Sequence, residues 1–378
     1  MARVTINDIA RVTGYSKTSV SFAFNDPERL SEAARTRILA TARELGYIPD
    51  PVARNLTLRR HGTIGLLLPE TISVAFLNSH LSQIVQGIGE VCERENHSLT
   101  LIPPKRESVL EGVRSAAVDG LITIGLEPGM ETVEIINHRT LPFVTIDGRA
   151  GGGFPVVGID DEKAAAELMG HVLSLGHRRI AIVSFFDEPQ LAAASQVKAE
   201  RLSGYRVALE AAGLDMPAPP GPNPPGPPGS SGPAPPGPPH AGEPTQAGPP
   251  AVTIWECESS ISGGREAAER ILGAGSTAGA EAPTAIVAMS DVIALGVTGY
   301  LADHGRAVPE EFTVVGFDGI PEADLTRPQL TTVSQSGFDK GHVAADTLVK
   351  LIEGEDVEQQ VVLEAELLVR GSSGPPRA

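Results

Sequence analysis

The chain has 378 residues, of which 41% are hydrophobic and 4% aromatic, and a formal charge of -17. That length and apolar share suit two or three globular domains and exclude a wholly disordered chain, while the negative balance excludes a protein that coats nucleic acid over its entire surface. The charge is uneven: residues 1–62 hold ten Lys/Arg and six Asp/Glu (net +4), and the remainder holds twenty against forty-one (net -21).

A basic head on an acidic body suits a head that meets phosphates and a body that the same phosphates repel. The two cysteines, Cys92 and Cys257, stand far apart, outside any metal or redox spacing, as expected of inert thiols in a reducing compartment. The opening MARVTINDIA has no apolar signal core, and no run approaches the length of a membrane span, so the expected location is the cytoplasm, away from membranes.

Residues 5 to 25, TINDIARVTGYSKTSVSFAFN, read as two short helices joined by a tight turn. Thr5 can cap the first, with Asp8 three residues on as the reciprocal partner, and Ile6, Ile9 and Ala10 recur at helical spacing. Gly14 supplies the turn and Ser16 caps the second helix. There Val20, Ala23 and Phe24 form an inner face. Thr18, Ser21, Phe22 and Asn25 lie opposite, with Lys17 at the flank. Small hydroxyls and a lysine on the outer face of a short helix suit a major groove, and its N-terminus favours anions. This is the helix-turn-helix pattern, with the second helix as reader.

Asn25-Asp26-Pro27 breaks the structure, and Ser31 caps a third helix with Ala34, Ile38, Ala42 and Leu45 on its inner face and Gly46 at its end. The headpiece is thus expected over 1–47. A basic linker follows over 48–62, YIPDPVARNLTLRRHG from Tyr47 on, in which Asp50-Pro51 can start a helix too short to stand alone. From Thr63 the pattern changes. Apolar runs of strand length (TIGLLLP, SLTLIP, DGLITIG, LPFVTID) alternate with helical stretches near 79–95, 107–117 and 130–138. Such runs mean parallel strands covered on both faces. After Gly158 the pattern repeats: a helix over 161–175, RRIAIVSF, a helix over 199–212, TIWEC, a helix over 262–273, TAIVAMS, a helix over 291–304 and FTVVGFD. A helix over 338–353 and a strand VVLEAELLVR end the body. Residues 217–250 hold 16 of the 32 prolines and seven irregularly spaced glycines, the composition of a disordered insertion.

The fold expected is therefore α/β: an all-α helix-turn-helix headpiece and a core of two similar subdomains with parallel sheets. In sequence order, these elements resemble the lactose-repressor (LacI) family of bacterial transcription regulators. The residues that carry the resemblance are VTINDIARVTGYSKTSVSFAFN, ARELGYIPDPVARNL, LGHRRIAIV, AMSDVIALG, VVGFDGIP, and LTTVSQ followed by LLVRGSS. It implies a homodimer or tetramer on a near-palindromic DNA operator. Lys17 and Thr18 would then read bases, and Thr5, Ser16, Ser21 and Asn25 would contact phosphates. Residues 51–58 would form a hinge helix, with Arg54 adding charge and Leu56 wedging the minor groove. Phe22 stands where the family commonly has arginine, and could only touch a thymine methyl or pack.

The resemblance also implies a core like type I periplasmic binding proteins, with a small-molecule effector, a sugar, between a first subdomain (63–160 and 336–355) and a second (161–335 and 356–378). Asp147, Arg201, Asp291, Asp318 and Gln335 match cleft positions, and Phe76 is a candidate stacking residue. Carboxylates and an arginine suit vicinal hydroxyls, as a sugar or nucleoside carries. Ser290 replaces the asparagine more usual before Asp291. No catalytic residue, metal or cofactor is expected, since the chain has no P-loop, GxSxG or HExxH. Asp160-Asp161 suits a helix start and His177 a structural role. The alternative function is a cytoplasmic sugar-binding module without a DNA role.

Overall fold

The computed structural model describes residues 4–48, 61–105, 108–186, 195–218, 251–277 and 282–377. The expected hinge helix with Arg54 and Leu56, and the insertion from residue 219 to 250, lie outside them. The chain divides into two compact units, Met1–Gly62 and Thr63–Ala378.

In the first unit, α1 (Ile6–Thr13) starts where the Thr5 amide and hydroxyl both donate to Asp8 Oδ2, at 3.0 and 2.9 Å. It stops at Gly14, whose φ of 76° is costly for any residue with a Cβ. Ser16 Oγ accepts the Ser19 amide at 3.0 Å and starts α2 (Lys17–Asn25). A 3-10 turn, Pro27–Arg29, leads to α3 (Glu32–Glu44), capped by Ser31. Ile9, Val20, Ala23, Ile38 and Ala42 are buried together. Each large aliphatic side chain so buried contributes roughly 1.5–3 kcal/mol, which is what holds three short helices that would be unstable singly. Phe24 and Tyr47 close the edge of this core with ring centroids 5.4 Å apart.

The second unit contains two six-stranded sheets. Its chain runs β1 (Thr63–Leu67), α4 (Ile72–Ala75), α5 (Ser79–Arg94), β2 (Ser98–Ile102), α6 (Val109–Ser115), β3 (Gly120–Ile124), α7 (Glu131–His138), β4 (Phe143–Ile146) and β5 (Val156–Gly158). It crosses to the second half with α8 (Asp161–Ser174), β6 (Ile180–Phe185), α9 (Gln196–Ala211), β7 (Val252–Cys257), α10 (Ile261–Thr277) and β8 (Ala285–Ala288). There follow α11 (Asp291–Asp303), β9 (Thr313–Asp318), α12 (Glu322–Leu325) and β10 (Thr331–Ser334). It returns with α13 (Gly337–Glu353) and β11 (Gln360–Val362), and ends in β12 (Glu366–Leu368). The strand orders are β11-β5-β4-β3-β1-β2 and β12-β10-β9-β8-β6-β7, the same order in both halves. All pairings are parallel except β10 with β12.

The unbroken apolar strands are explained by two buried faces. In β6, Ile180 and Ile182 face the core under α8 and α9, while Ala181 and Val183 face the core under α10 and α11. The expected single strand over 361–370 is two. Residues 360–362 pair with β5 in the first sheet, 366–368 pair with β10 in the second, and Leu363 between them packs against the cores of both halves. An apolar side chain shared by two cores pins a crossover there, so the expected second subdomain over 356–378 loses β11 to the first half. Three crossovers, near 159–160, 335–336 and 363–365, therefore join the halves. No helix among the described residues is long and apolar enough to cross a membrane.

The helices flanking the sheets pair at glycines. A Cβ on Gly87 of α5 would fall 2.0 Å from the Phe338 carbonyl oxygen of α13, and one on Gly204 of α9 would fall 2.1 Å from that of Glu162 of α8. Backbone on the opposite side cannot yield as a flexible side chain could. Gly87→Ala is expected to cost on the order of 1–3 kcal/mol by forcing α5 and α13 apart. Thermal unfolding measures this, and a melting temperature equal to the parent's contradicts it.

Candidate functional site

Two surfaces carry the sequence-predicted residues. On the headpiece, Thr5, Ser16, Lys17 and Thr18 are exposed, while Ser21, Phe22 and Asn25 are half-buried. The hydroxyls of Thr5 and Ser16 serve their helix caps, and Asn25 Nδ2 donates to Ser21 Oγ at 3.3 Å. Phe22 packs: the Arg29 guanidinium lies 5.2 Å from its ring centroid, and Arg29 is held by Asp26 at 2.6 Å.

The second surface is the cleft between the halves of the core. Asp147 follows β4 and Asp318 ends β9, the corresponding strands of the two sheets. Both have positive φ, 53° and 123°, rare for a residue with a side chain and costly. Lys340, on the first turn of α13, donates to Asp147 Oδ1 at 2.6 Å and to Gln335 Oε1. Gln335 Nε2 donates to Asp318 Oδ1 at 2.6 Å. Asp318 Oδ1 lies 3.8 Å from the Arg201 guanidinium, whose Nε donates to Asp161 Oδ1 at 2.7 Å and whose Nη1 donates to the Met289 carbonyl. Arg201 also stacks on Phe317, 3.6 Å from the ring centroid.

One hydrogen-bonded and ionic chain thus runs Asp147–Lys340–Gln335–Asp318–Arg201–Asp161, from the first half to the second. Nearby, Ser79 Oγ donates to Glu322 Oε1 at 2.6 Å and Arg149 Nη2 donates to Gln196 Oε1 at 2.6 Å, each across the halves.

Four of the six predicted cleft residues, Asp147, Arg201, Asp318 and Gln335, meet in this chain. Asp291 stands beside it with both oxygens engaged: Oδ1 accepts the Thr332 hydroxyl at 2.7 Å, and Oδ2 accepts the amides of Gly319 and Ile320 at 2.8 and 3.0 Å. It anchors the loop after Asp318. Phe76 caps the end of α4, partly exposed and outside the chain of contacts.

Sequence reasoning missed Lys340, Asp161 and His80. Asp160 caps α8 as expected, accepting the Lys163 amide at 2.9 Å, but Asp161 is buried against Arg201. His177 is structural, bonded to the hydroxyls of Thr284 and Thr313 and to the Gly374 carbonyl. A cavity of about 230 Å³ adjoins the chain of contacts, with Asp147, Arg149, Asp161, Gln196 and Glu200 on its wall.

Burial sets the charge states here. It pushes Asp318 up to about 7 and Asp291 up to about 6, and it raises Asp161 and Glu200. Burial, then the charges of Lys340 and Arg201, hold His80 well below the usual imidazole range, so it is neutral. Several buried oxygens have no partner among the described residues, among them Ser290 Oγ, Asp318 Oδ2 and Glu322 Oε2, while the side chains of His80 and Gln83 lie side by side. Such orphans cost free energy unless something else bonds them. The arrangement sets unpartnered oxygens and a network of charged side chains near one cavity.

Comparison with known proteins covers both regions of the chain. Residues 5–50 match the family model of bacterial regulatory proteins, lacI family. Residues 61–219 match periplasmic binding proteins and sugar binding domain of LacI family, and 243–373 match a periplasmic binding protein-like domain. The chain is 33% identical to an HTH-type transcriptional regulator of Mycobacterium tuberculosis, over 99% of this chain and 98% of that one. It is 33% identical to the HTH-type transcriptional regulator IpsA of Corynebacterium glutamicum, over 95% and 94%.

Among solved structures, a transcriptional regulator from Corynebacterium glutamicum aligns with a TM-score of 0.64 at 28% identity, covering 99% of each chain. The lac repressor dimer bound to operator aligns with a TM-score of 0.75 at 22% identity, covering 99% of this chain and 100% of that one. At that identity the likeness speaks to the fold.

The raised Asp318 makes a pH prediction. Aspartate in an unfolded chain titrates near 3.9, so between about 4 and about 7 the folded protein keeps a proton that the unfolded chain has released. This group therefore favours folding at low pH, and its contribution is lost as pH rises through about 7. Asp318→Asn removes the titration and keeps the shape. The melting temperature of the parent, relative to the variant's, should fall as pH rises from about 5 to about 8; a difference independent of pH contradicts the buried-carboxyl reading.

Proposed function

Because this chain belongs to the LacI family of bacterial transcription regulators, we propose that it is a repressor whose grip on DNA is set by a sugar held between the halves of its core. As a homodimer, it presents two headpieces to a near-palindromic operator. The observation that carries the reading is the chain of contacts from Asp147 to Asp161. A ligand that rearranges it changes how the halves meet, and two arrangements with different ligand affinity are what allosteric control requires. The sugar is favoured by the chemistry of the cleft, where the carboxylates, the amide and the guanidinium that now bond one another are all groups suited to vicinal hydroxyls. The matched family model of the sugar binding domain points the same way.

On the DNA side, Lys17 and Thr18 read base edges, while Thr5, Ser16, Ser21 and Asn25 steady the headpiece on phosphates. Arg54 and Leu56 are assigned to the hinge and its minor-groove wedge. Phe22, packed under Arg29, supports the reading helix. Phe76 and Asp291 frame the effector site from the first and second halves, and Asp147, Arg201, Asp318 and Gln335 contact the ligand. This function needs no cofactor and no catalysis.

Anisotropy titrations of the full chain on a palindromic duplex test the proposal. Affinity should fall steeply with salt as counterions are released, and Lys17→Ala should cost roughly 1–3 kcal/mol and relax specificity at one base. A sugar from an aldose and disaccharide panel should shift the midpoint. Salt-independent binding, or a midpoint that no sugar moves, contradicts it.

A further inference from the structure

Arg149 reaches from the first half to the second. Its Nη2 and Nε both donate to Gln196 Oε1, at 2.6 and 3.2 Å, and Gln196 stands on the first turn of α9. Both ends of this bridge are fixed. The Arg149 amide donates to the Leu126 carbonyl at 3.3 Å, and Gly148 before it is packed so closely that a Cβ there would fall 2.3 Å from the same oxygen. Gln196 Nε2 donates in turn to Glu200 Oε1, one turn along α9. With the backbone anchored on either side, what can move is the arginine side chain. It is 58% exposed and bonds a neutral amide, with the nearest carboxylate, Glu127, 3.7 Å away on its own half. A hydrogen bond within reach of water is worth little net, so this one breaks and reforms readily.

The bridge lies at the cavity of about 230 Å³. Arg149 and Gln196 are both on its wall, and so are residues 158–159 and β11, beside the first and third crossovers. There the chain passes covalently from one half to the other, so those walls cannot part. The wall between Arg149 and Gln196 is closed by hydrogen bonds alone. We propose that Arg149 and Gln196 form a latch over this cavity, and that its opening sets the rate at which a small molecule enters and leaves. The latch acts on entry and exit alike, so it governs how fast the protein responds more than how tightly it binds. It is independent of which molecule the cleft holds and of the repressor reading above.

The test uses the full chain and N-ethylmaleimide, a small uncharged reagent. A reporter cysteine is placed on the cavity wall, Val361→Cys or Ile159→Cys, and a control on the outer surface, Glu134→Cys. The native Cys92 and Cys257 are buried and stay unreactive. Arg149→Ala should raise the alkylation rate of the wall reporter about two- to tenfold, the range for losing one hydrogen bond, and leave the control's rate unchanged. Gln196→Ala should do the same. The double variant should be no faster than either single one, because both remove the same contact. If one reporter does not fold, the other carries the measurement. A wall rate unmoved by Arg149→Ala overturns the latch. So does a double variant whose effect is the sum of the two single ones, and so does an equal rise at Glu134→Cys, which marks general loosening.

Discussion

The ammonium of Lys340 is fully buried, and its charge is balanced by Asp147 at 2.6 Å. Removing one member of such a pair leaves the other as an uncompensated charge in a poor solvent, a cost of roughly 3–5 kcal/mol. The rest of the cleft is built outward from that constraint. Lys340 must also bond Gln335, which fixes the crossover between β10 and α13. Gln335 then holds Asp318, whose other neighbour, Arg201, is oriented by Asp161 and the face of Phe317. Each polar group is placed by the next, so a change at any link is felt in both halves.

The two halves share a strand order and place an aspartate, Asp147 or Asp318, at corresponding strand ends with strained backbone. Three short crossovers join the halves, and glycines let the flanking helices of each half pack backbone against backbone. Stiff bodies, a few pivots and a polar seam form a device with a small number of discrete arrangements. Burial makes Asp318 and Asp291 hold their protons more tightly than free carboxylates do.

Much of this was legible from residue order. Caps at Thr5, Ser16 and Ser31 marked the headpiece helices, and apolar runs marked most strands because both faces of each sheet are buried. Asp147, Arg201, Asp318 and Gln335 were placed in the cleft by resemblance, and the fold brings them into one chain of contacts. Lys340 was not legible. A lysine one turn into an amphipathic helix reads as solvated, and only the path of α13 back beneath Asp147 buries it. Asp161 was hidden for the same reason, since its partner Arg201 is 40 residues away. β5 and β10 span three and four residues, too short to show a period, and the break at Leu363 depends on two cores meeting there.

The central claim, that Lys340, buried on Asp147 and bonded to Gln335 at the crossover, sets how the halves meet, is open to a direct distance measurement. Spin labels at the exposed positions of Glu134 and Glu269, one in each half, report the separation in the full chain. Burial pushes the Cys92 and Cys257 thiols up to about 11 and about 12, which keeps them unreactive toward the label. The account predicts one narrow distance in the parent and a longer or broadened distribution in Lys340→Met, where buried Asp147 loses its counter-charge and draws water into the seam. Identical distributions in the two proteins would contradict it.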